Sequence, residues 1–396
     1  MQKKTFILLV CFIVFLFCCK KTGNENKSLL PLENVLTRVL SFGADKTALP
    51  KEYLLSFPLS ISVDENQNIY VLDENRIKVY DQNGKPFSII GGPGQNPGEF
   101  ENPENMTMSK SGYISVTGYN SNSVFNKEHR FLYRRTMRGK RFISEYVRRN
   151  NYYSANYLKS YAVNDSTQIT QYIFFTAPKN DILYFPHLLV YETPDTTCEL
   201  LSQEIKLSVV MDNSLAPIPN QPPLIWAILG DNVVVYTDPL KNMPQIGSDC
   251  QYYLYLFSPD NFQKKEIRHP YSPAAIPDSI KQNYWKRYAK QFELYPPSEK
   301  VKSKTAEILG ELKYEPIIED IFTDLDRIFV FTSAINKKDE ILTDIFNADT
   351  GQYIQSAYFP VYPFIIKDGY LYTAGKNKDN YHVIEKYKID PKVYGK

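Results

Sequence analysis

The sequence predicts an all-β protein made of repeated four-stranded sheets, and three observations support this class. The 396 residues include 31 Tyr and 23 Phe, and the 26 Pro outnumber the 17 Gly, a composition typical of short strands joined by turns. Apolar and polar residues alternate in short runs that end in Asp, Asn or Gly. The runs recur with a period of about 45 residues, which is typical of β-propellers. We therefore expect a six-bladed β-propeller over residues 35–396, with a helical insertion near 278–312.

The first residues predict an export signal. Lys3 and Lys4 precede an uninterrupted apolar run of about 14 residues, which is the layout of a secretory signal peptide. A membrane-spanning helix needs about 20 residues, so an N-terminal transmembrane anchor is an alternative that fits the run less well. We assign residues 1–18 to the signal peptide.

The end of the apolar run, Leu16-Phe17-Cys18-Cys19, resembles the lipobox of bacterial lipoproteins, in which a Leu lies three places before the modified Cys. The resemblance implies that Cys19 carries the lipid and begins the mature protein, with Cys18 as the alternative position. Several acyl chains hold a protein at a membrane without a spanning helix. We expect residues 19–34 to form a flexible tether. The protein would then reside in the cell envelope, on the outer membrane or on a membrane surface that faces the periplasm.

The clearest repeat lies in residues 58–136. The first unit alternates apolar and polar side chains through residues 59–73 and again through 76–90, with Asp, Asn and Gly between the runs. In the second unit, about 45 residues later, Met106-Thr107-Met108-Ser109 matches Ile61-Ser62-Val63-Asp64. Four strands in a meander predict one propeller blade for each unit.

The connector between the two units is rich in glycine and proline. Its sequence is Gly91-Gly92-Pro93-Gly94-Gln95-Asn96-Pro97-Gly98-Glu99-Phe100-Glu101-Asn102-Pro103. This segment resembles the connector of NHL repeats, in which a Gly-rich turn leads to Pro-Gly-Glu-Phe and a further Pro. The chain is therefore similar to the NHL-repeat, six-bladed β-propeller lipoproteins of Bacteroidetes-type bacteria. The resemblance implies an NHL- or TolB-like propeller, in which the connector leads from the outer strand of one blade to the inner strand of the next.

The later blades show the same alternation less regularly. The predicted strands are 160–173, 182–191 and 198–210 in the third blade, 224–229, 232–237, 252–258 and 263–268 in the fourth, 317–322, 327–332, 340–347 and 352–358 in the fifth, and 363–366, 370–374 and 382–389 in the sixth. Two predicted helices, 279–295 and 298–312, form the insertion, which either decorates the binding face or braces the rim. Residues 35–42 supply the fourth strand of the sixth blade, which closes the ring and removes exposed sheet edges.

The charge of the chain argues against nucleic acid as a partner. The formal net charge is +2, and without Lys3 and Lys4 the remaining 44 basic residues equal the 44 acidic ones. Nucleic-acid-binding domains usually carry a basic surplus. The basic residues between positions 134 and 149 are the main local concentration, and we interpret them as a solvated strand face.

Two cysteines remain beyond the signal region, Cys198 and Cys250. An oxidising envelope permits a disulfide between them, since a separation of about 50 residues is close to one repeat and would place them on adjacent blades. Two buried thiols are the alternative.

No catalytic or metal-binding motif occurs in the sequence. The four histidines lie far apart, and there is no HExxH, CxxC or Gly-x-Ser-x-Gly pattern. We therefore predict no metal, no cofactor and no catalytic residues. Three polar residues on predicted inner strands, Asn105, Glu319 and Asp320, are candidates for the mouth of the central channel.

The sequence favours a binding or protein-interaction scaffold over an enzyme. Fold alone carries no function, but Tyr and Phe bury large areas at small entropic cost. We therefore expect a protein or carbohydrate partner on one face of the ring. The alternative is a hydrolase or lyase with a divalent cation in the channel, a hypothesis that rests on similarity to sugar-lactone hydrolases and NHL-type lyases.

Overall fold

The structure is a computed structural model that describes residues 30–396 except 45–48, 138–139, 223, 231–232, 240, 244–249, 260 and 295. The predicted signal peptide, Cys19 and the first part of the tether lie outside the described residues. The described part of the chain forms six antiparallel sheets of four or five strands, which confirms the predicted six-bladed β-propeller.

The first strand, β1 (Leu36–Phe42), belongs to the last blade, and the next three blades follow in chain order. The first blade contains β2 (Ser60–Val63), β3 (Ile69–Asp73), β4 (Arg76–Tyr80) and β5 (Pro86–Ile90). The second contains β6 (Pro103–Met108), β7 (Ile114–Gly118), β8 (Ser121–Phe125) and β9 (Phe131–Thr136), and the helix α1 (Arg141–Arg149) follows it. The third contains β10 (Ser154–Ala162), β11 (Gln168–Phe175), β12 (Ile182–Glu192), β13 (Thr197–Met211) and β14 (Ser214–Pro217).

The helical insertion separates the fourth and fifth blades. The fourth blade contains β15 (Trp226–Leu229), β16 (Val233–Thr237), β17 (Gln251–Ser258) and β18 (Gln263–Pro270). The insertion contains α2 (Asp278–Gln282), α3 (Tyr284–Arg287), α4 (Ala289–Leu294) and α5 (Glu299–Glu311). The fifth blade contains β19 (Ile318–Asp324), β20 (Arg327–Ile335), β21 (Ile341–Asn347) and β22 (Tyr353–Phe359), and the sixth contains β23 (Ile365–Lys367), β24 (Tyr370–Lys376) and β25 (His382–Ile389).

The ring closes as the sequence predicted. β1 pairs antiparallel with β25, with Leu36 opposite Ile389 and Phe42 opposite Ile384, and so becomes the outer strand of the sixth blade. An N-terminal strand therefore completes a sheet whose other three strands lie near residue 396. This pairing covers the edge that β25 would otherwise expose.

The third blade departs from the prediction in two ways. The predicted strand 160–173 is two strands, because a turn at Asn164 separates β10 from β11. The Asn164 side chain accepts hydrogen bonds from the backbone N–H groups of Ser166 and Thr167, at 2.9 and 2.7 Å, and such a local bond favours a turn over a continuing strand. In addition, β14 gives the sheet a fifth strand.

We had expected the basic residues between positions 134 and 149 to lie on a strand face, but of those that the structure describes only Arg134 and Arg135 lie on a strand, β9. Part of this segment forms α1, and the buried Ile143 and Tyr146 of this helix pack against Tyr157 and Phe174 of the third blade. The buried residues of α1 are three positions apart, which is helical spacing. This segment therefore buries one face as a helix and does not continue the alternating pattern of β9.

The insertion lies where predicted, but the first of its two helices is broken into three. α2, α3 and α4 meet at Asn283 and Tyr288, where ψ is 9° and 14°. The Asn283 side chain donates a hydrogen bond to the Ser279 carbonyl at 2.9 Å, and it thereby competes with the backbone bonds of a longer helix. The aromatic side chains that follow, including Trp285 and Phe292, pack with α5 against the long β13–β14 hairpin.

Most neighbouring blades pack through apolar side chains. Between the fourth and fifth blades, for example, Val235 and Leu254 lie in one buried cluster with Ile321 and Val330. Similar clusters join the fifth blade to the sixth and the sixth to the first. Burial of these strand faces between blades supplies the main stabilisation of the ring.

The second and third blades meet differently, through a chain of buried hydrogen bonds. The chain runs from Ser115 to Asn122, Ser160, Thr170 and Glu192, with successive distances of 2.7, 3.0, 3.2 and 3.1 Å. Each group has a partner, and a satisfied polar network fixes the relative position of the two sheets.

Candidate binding site at the channel mouth

The strand order determines which loops share a face of the ring. Each blade begins at its inner strand and continues outward through antiparallel strands, so its loops alternate between two faces. The insertion face carries the turns between second and third strands and the connections between blades. Its described segments are 43–44, 49–59, 74–75, 91–102, 119–120, 137, 140–153, 176–181, 212–213, 218–222, 224–225, 238–239, 241–243, 250, 271–294, 296–317, 336–340, 360–364 and 377–381. The hairpin face carries the turns between first and second and between third and fourth strands, whose described residues are 64–68, 81–85, 109–113, 126–130, 163–167, 193–196, 230, 259, 261–262, 325–326, 348–352 and 368–369.

The first strands of the blades line a central channel of about 1120 Å³. Side-chain hydroxyls connect neighbouring inner strands along it. Ser60 donates to the Met106 carbonyl at 2.9 Å, and Thr107 donates to the Ser160 carbonyl at 2.5 Å. These bonds hold the inner strands of the first three blades in register.

Three polar side chains reach the channel mouth on the insertion face by the same structural device. Asn105 of β6, Lys159 of β10 and Asp320 of β19 each follow a shift in register with the second strand of the blade. A β-bulge bends a strand and changes the direction of the side chain that follows it. All three residues line the channel.

Lys159 is the cation of this mouth. Its ammonium donates a hydrogen bond to the Trp226 carbonyl at 2.9 Å and lies 4.6 Å from the centre of the Trp226 ring. Burial lowers the pKa of Lys159, and the nearby Asp320 opposes this effect. The side chain therefore bridges the third and fourth blades at the channel wall.

Asp320 is the anion of the same mouth. One carboxylate oxygen accepts a hydrogen bond from the backbone N–H of Ile321 at 2.8 Å, and the Tyr362 hydroxyl interacts with the carboxylate. Burial raises the pKa of Asp320, although Lys159 and the Ile321 N–H oppose the rise. The charged atoms of Lys159 and Asp320 remain more than 4.0 Å apart, so the two residues form no ion pair.

The other two sequence candidates have different positions. Asn105 lines the channel, and its side-chain oxygen is buried without a hydrogen-bond partner among the described residues. Glu319 is exposed and does not line the channel, although its carboxylate acts on Asp320 and Tyr362 through space. Two of the three predicted residues, Asn105 and Asp320, therefore line the channel itself.

Aromatic side chains complete the mouth. Tyr362 and Phe364, from the connection between the fifth and sixth blades, line the channel and are 41% and 39% exposed. Tyr362 also packs edge-on against Phe322 and Phe331, with ring centres 6.2 and 5.7 Å away. Tyr362 is therefore supported by the core, and both rings remain partly exposed where they line the channel.

Polar side chains behind the channel wall hold Trp226 in place. The Trp226 indole N–H donates to the Gln171 side-chain oxygen at 2.9 Å, and the Gln171 amide contacts Nδ1 of His187 at 3.0 Å. Burial lowers the pKa of His187 to about 4. At neutral pH the imidazole is therefore uncharged, and Nδ1 can accept the hydrogen bond from Gln171.

Sequence reasoning missed Lys159, Trp226, Tyr362 and Phe364. For three of them the signal was position, since Trp226, Tyr362 and Phe364 lie at or just before the N-terminal end of an inner strand. Lys159 lies just before the predicted strand 160–173, whereas the structure places it within β10 (Ser154–Ala162), after the bulge. Its role could not be inferred from alternation alone.

The structure adds three further facts about chemistry and anchoring. Within the described residues, no group of three or more His, Cys, Asp or Glu side chains converges to hold a metal ion. Across the same residues, no helix is both long enough and apolar enough to cross a membrane.

Cys198 and Cys250 are not joined in the structure, which has the alternative of two thiols in place of the disulfide, with both residues partly buried.

Comparisons with known proteins concern the fold. No family model matches the chain, and no curated protein matches its sequence. Among solved structures, the chain is similar to a protein of Bacteroides fragilis NCTC 9343 that is predicted to be exported, at 13% identity over 91% of this chain and 99% of that one, with a TM-score of 0.49. The Neurospora crassa Pan2 WD40 domain is similar at 8% identity over 90% and 95%, with a TM-score of 0.37. A chain of the mitotic checkpoint complex is similar at 7% identity over 89% and 92%, with a TM-score of 0.40.

Proposed function

We propose that the chain is a lipoprotein of the cell envelope that acts as a binding module, with a protein partner docked on the insertion face. In this proposal residues 1–18 direct export, Cys19 carries the lipid, residues 19–34 form the tether and residues 35–396 form the propeller. The basic start, the apolar run and the lipobox-like sequence support the anchor. The surface of the propeller supports the binding role.

The distribution of exposed apolar side chains is the observation that carries the proposal. Nine large apolar residues are exposed on the insertion face: Phe57, Tyr119, Tyr153, Met243, Leu294, Ile335, Tyr362, Phe364 and Tyr381. On the hairpin face, the described turns expose Phe262 and Leu325, and the strand ends beside them expose Phe87 and Tyr353, so the insertion face has about twice as many. Aromatic residues and Met are enriched in protein interfaces, and apolar residues that gather on one side mark interaction sites. The insertion face is therefore the docking side.

The test is capture of a partner from intact membranes by the full chain after mild crosslinking. The variant Phe57→Asn/Ile335→Asn removes two apolar side chains from the insertion face that are 65% and 59% exposed. We expect capture of a reproducible protein partner by the unchanged chain, and at least a fivefold loss of capture by this variant. Quantitative mass spectrometry of the crosslinked bands measures both.

The chain offers a matched control on the hairpin face. Phe262→Asn/Leu325→Asn removes side chains that are 56% and 54% exposed, at two positions with positive φ that Asn tolerates. This variant should capture the partner as well as the unchanged chain does. Equal losses in both variants, or no reproducible partner, would refute docking on the insertion face.

Cys19→Ser should release the protein from the membrane pellet, and retention of its lipid would refute the anchor.

A further inference from the structure

The channel mouth contains two opposite charges that do not meet. Lys159 and Asp320 both line the channel and interact through space, yet their charged atoms remain more than 4.0 Å apart. The ammonium donates to one carbonyl, that of Trp226, and so retains further donor capacity. Burial of separated charges is unfavourable unless hydrogen bonds compensate for lost water. A ligand that accepts from Lys159 and donates to Asp320 would supply those bonds.

Asn105 adds a third incomplete group at the same mouth. Its side-chain oxygen is buried and accepts no hydrogen bond from the described residues. Each of these three residues follows a register shift in the inner strand of its blade and lines the channel. Three separate blades therefore contribute one polar side chain each to the same mouth.

The aromatic rings of the mouth indicate which kind of polar ligand fits. Tyr362 and Phe364 line the channel with about two fifths of each residue exposed, at 41% and 39%. Such rings bind a ligand that has an apolar flat face as well as hydrogen-bonding groups. The channel volume of about 1120 Å³ also exceeds the range of about 300–1,000 Å³ that is typical for small-molecule sites, so it has room for several linked rings.

The charges of the mouth favour a ligand without net charge. Lys159 and Asp320 balance each other, the nearby Glu319 carboxylate acts on Asp320 and Tyr362 and disfavours an anionic ligand, and the Lys159 ammonium disfavours a cationic one. A zwitterionic amino acid also lacks net charge, but its two charges contact only Lys159 and Asp320, whereas a saccharide with several hydroxyls also supplies a donor to the Asn105 oxygen. Hydroxyl groups on a pyranose ring both donate and accept, and the C–H groups of the ring provide the apolar face.

We infer that the insertion-face mouth of the channel binds a neutral saccharide, whose hydroxyls bridge Lys159, Asp320 and Asn105 while a sugar ring packs on Tyr362 and Phe364. This site lies in the channel and goes beyond the proposed docking of a protein partner on the surrounding loops. The two proposals share Tyr362 and Phe364, but the docking test changes Phe57 and Ile335 and the saccharide test changes Lys159 and Asp320, so the two experiments can succeed or fail separately.

The experiment uses the purified full chain in detergent micelles. It is screened against immobilised neutral oligosaccharides of glucose, galactose, mannose, xylose and N-acetylglucosamine, and retained sugars are titrated by calorimetry. The fluorescence of Trp226 provides a second readout, because the Lys159 ammonium lies 4.6 Å from the ring centre. We expect saturable binding of at least one neutral saccharide and a change in fluorescence on binding. Screening of free amino acids and dipeptides covers the zwitterionic class.

Variants connect the binding to the three polar groups. Asp320→Asn keeps the shape of the side chain and removes its charge, while Lys159→Met keeps most of the stem and removes the ammonium. Each should weaken saccharide binding at least tenfold, whereas Lys110→Met, at the opposite end of the channel, should change it less than twofold. Circular dichroism melting shows whether each variant is folded. Retention of no neutral saccharide, stronger binding of zwitterions, or unchanged binding in folded Asp320→Asn would overturn the inference.

Discussion

The two faces of the propeller are held together in different ways. On the hairpin face, short turns are closed by their own side chains; Asn126, for example, accepts from the N–H groups of Glu128 and Arg130 at 3.2 and 2.9 Å. On the insertion face, long connections depend on side chains from elsewhere in the fold. The Arg134 guanidinium donates to the carbonyls of Gln95 and Asn96 in the Gly-rich connector, at 2.9 and 3.2 Å.

Other cationic side chains on the insertion face also donate hydrogen bonds to backbone carbonyls. Lys78 donates to the Leu54 carbonyl at 2.6 Å, as Lys159 does to that of Trp226. A long loop has no neighbouring strand to satisfy its carbonyls, and buried carbonyls need donors. The long connections of the insertion face therefore depend on a few long-range polar contacts, whereas its short turns at Asn336 and Asn377 are closed by their own side chains, like those of the hairpin face. Substitutions should show this difference as large effects in the long connections and small, additive effects in the turns.

The largest effect is expected at the buried pair beneath the first connection. Lys78 and Asp73 have fully buried side chains, their charged atoms are 2.7 Å apart, and Asp73 also accepts from the backbone N–H groups of Ser56 and Phe57 at 3.0 and 2.6 Å. Asp73→Ala leaves the buried ammonium with only the half-exposed Glu74 carboxylate, 2.9 Å away, and removes the acceptor of two backbone N–H groups, so we expect a loss of about 3 kcal/mol in the free energy of unfolding. Urea unfolding followed by intrinsic fluorescence measures the loss.

An exposed pair provides the comparison for this prediction. Glu33 and Lys338 are 3.1 Å apart with side chains 53% and 59% exposed. Exposed pairs contribute about 0–1 kcal/mol, so Glu33→Ala should have a small effect. A loss below about 1 kcal/mol in Asp73→Ala would show that the insertion face does not depend on this contact.

A smaller effect is expected at His187, which supports the channel wall through Gln171. Burial lowers its folded-state pKa from 6.5 to about 4, so the unfolded chain takes up the proton first as the pH falls. The stabilisation is therefore complete above about pH 6.5 and is lost as the pH falls toward 4, by at most about 3 kcal/mol. Protonation at Nδ1 would also remove the acceptor that Gln171 uses.

The measurement is the free energy of unfolding between pH 7 and pH 4, in the unchanged chain and in His187→Gln. The variant should lose less stability across this interval, because a neutral amide replaces the titrating ring. Saccharide binding should weaken over the same interval if Trp226 is displaced when its support is lost. Parallel pH profiles of the two proteins would exclude His187 as the source of the acid sensitivity.

The sequence predicted the fold wherever each blade repeats the same short pattern. The first two blades were predicted because their strands alternate and end in Asp, Asn or Gly, and the closure by β1 followed from a missing fourth strand. The third blade was harder to predict, since its longest strand, β13, spans 15 residues and its sheet gains β14. In the insertion, the side chain of Asn283 breaks a helix that the apolar spacing would continue.

The candidate site could be predicted only in part, and the reason is geometric. Asn105 and Asp320 were found because they are polar residues on predicted inner strands. Their approach to the channel, and that of Lys159, depends on bulges that shift the register, and a shift of one residue reverses the side of the sheet on which a side chain lies. Glu319 was placed at the mouth for the same reason, although the structure leaves it exposed.

The smallest effect is expected in the turns of the hairpin face. Asn126→Ala removes the acceptor for two backbone N–H groups in the second blade. Asn347→Ala removes the acceptor for the Thr350 N–H at 2.8 Å and the Thr350 hydroxyl at 2.9 Å in the fifth. Because these N–H groups can bind water instead, each substitution should cost about 1 kcal/mol. The turns lie in separate blades and share no partner, so the double variant should lose the sum within about 0.5 kcal/mol. A single loss as large as that of Asp73→Ala, or clear non-additivity in urea unfolding, would show that the hairpin face is as interdependent as the insertion face.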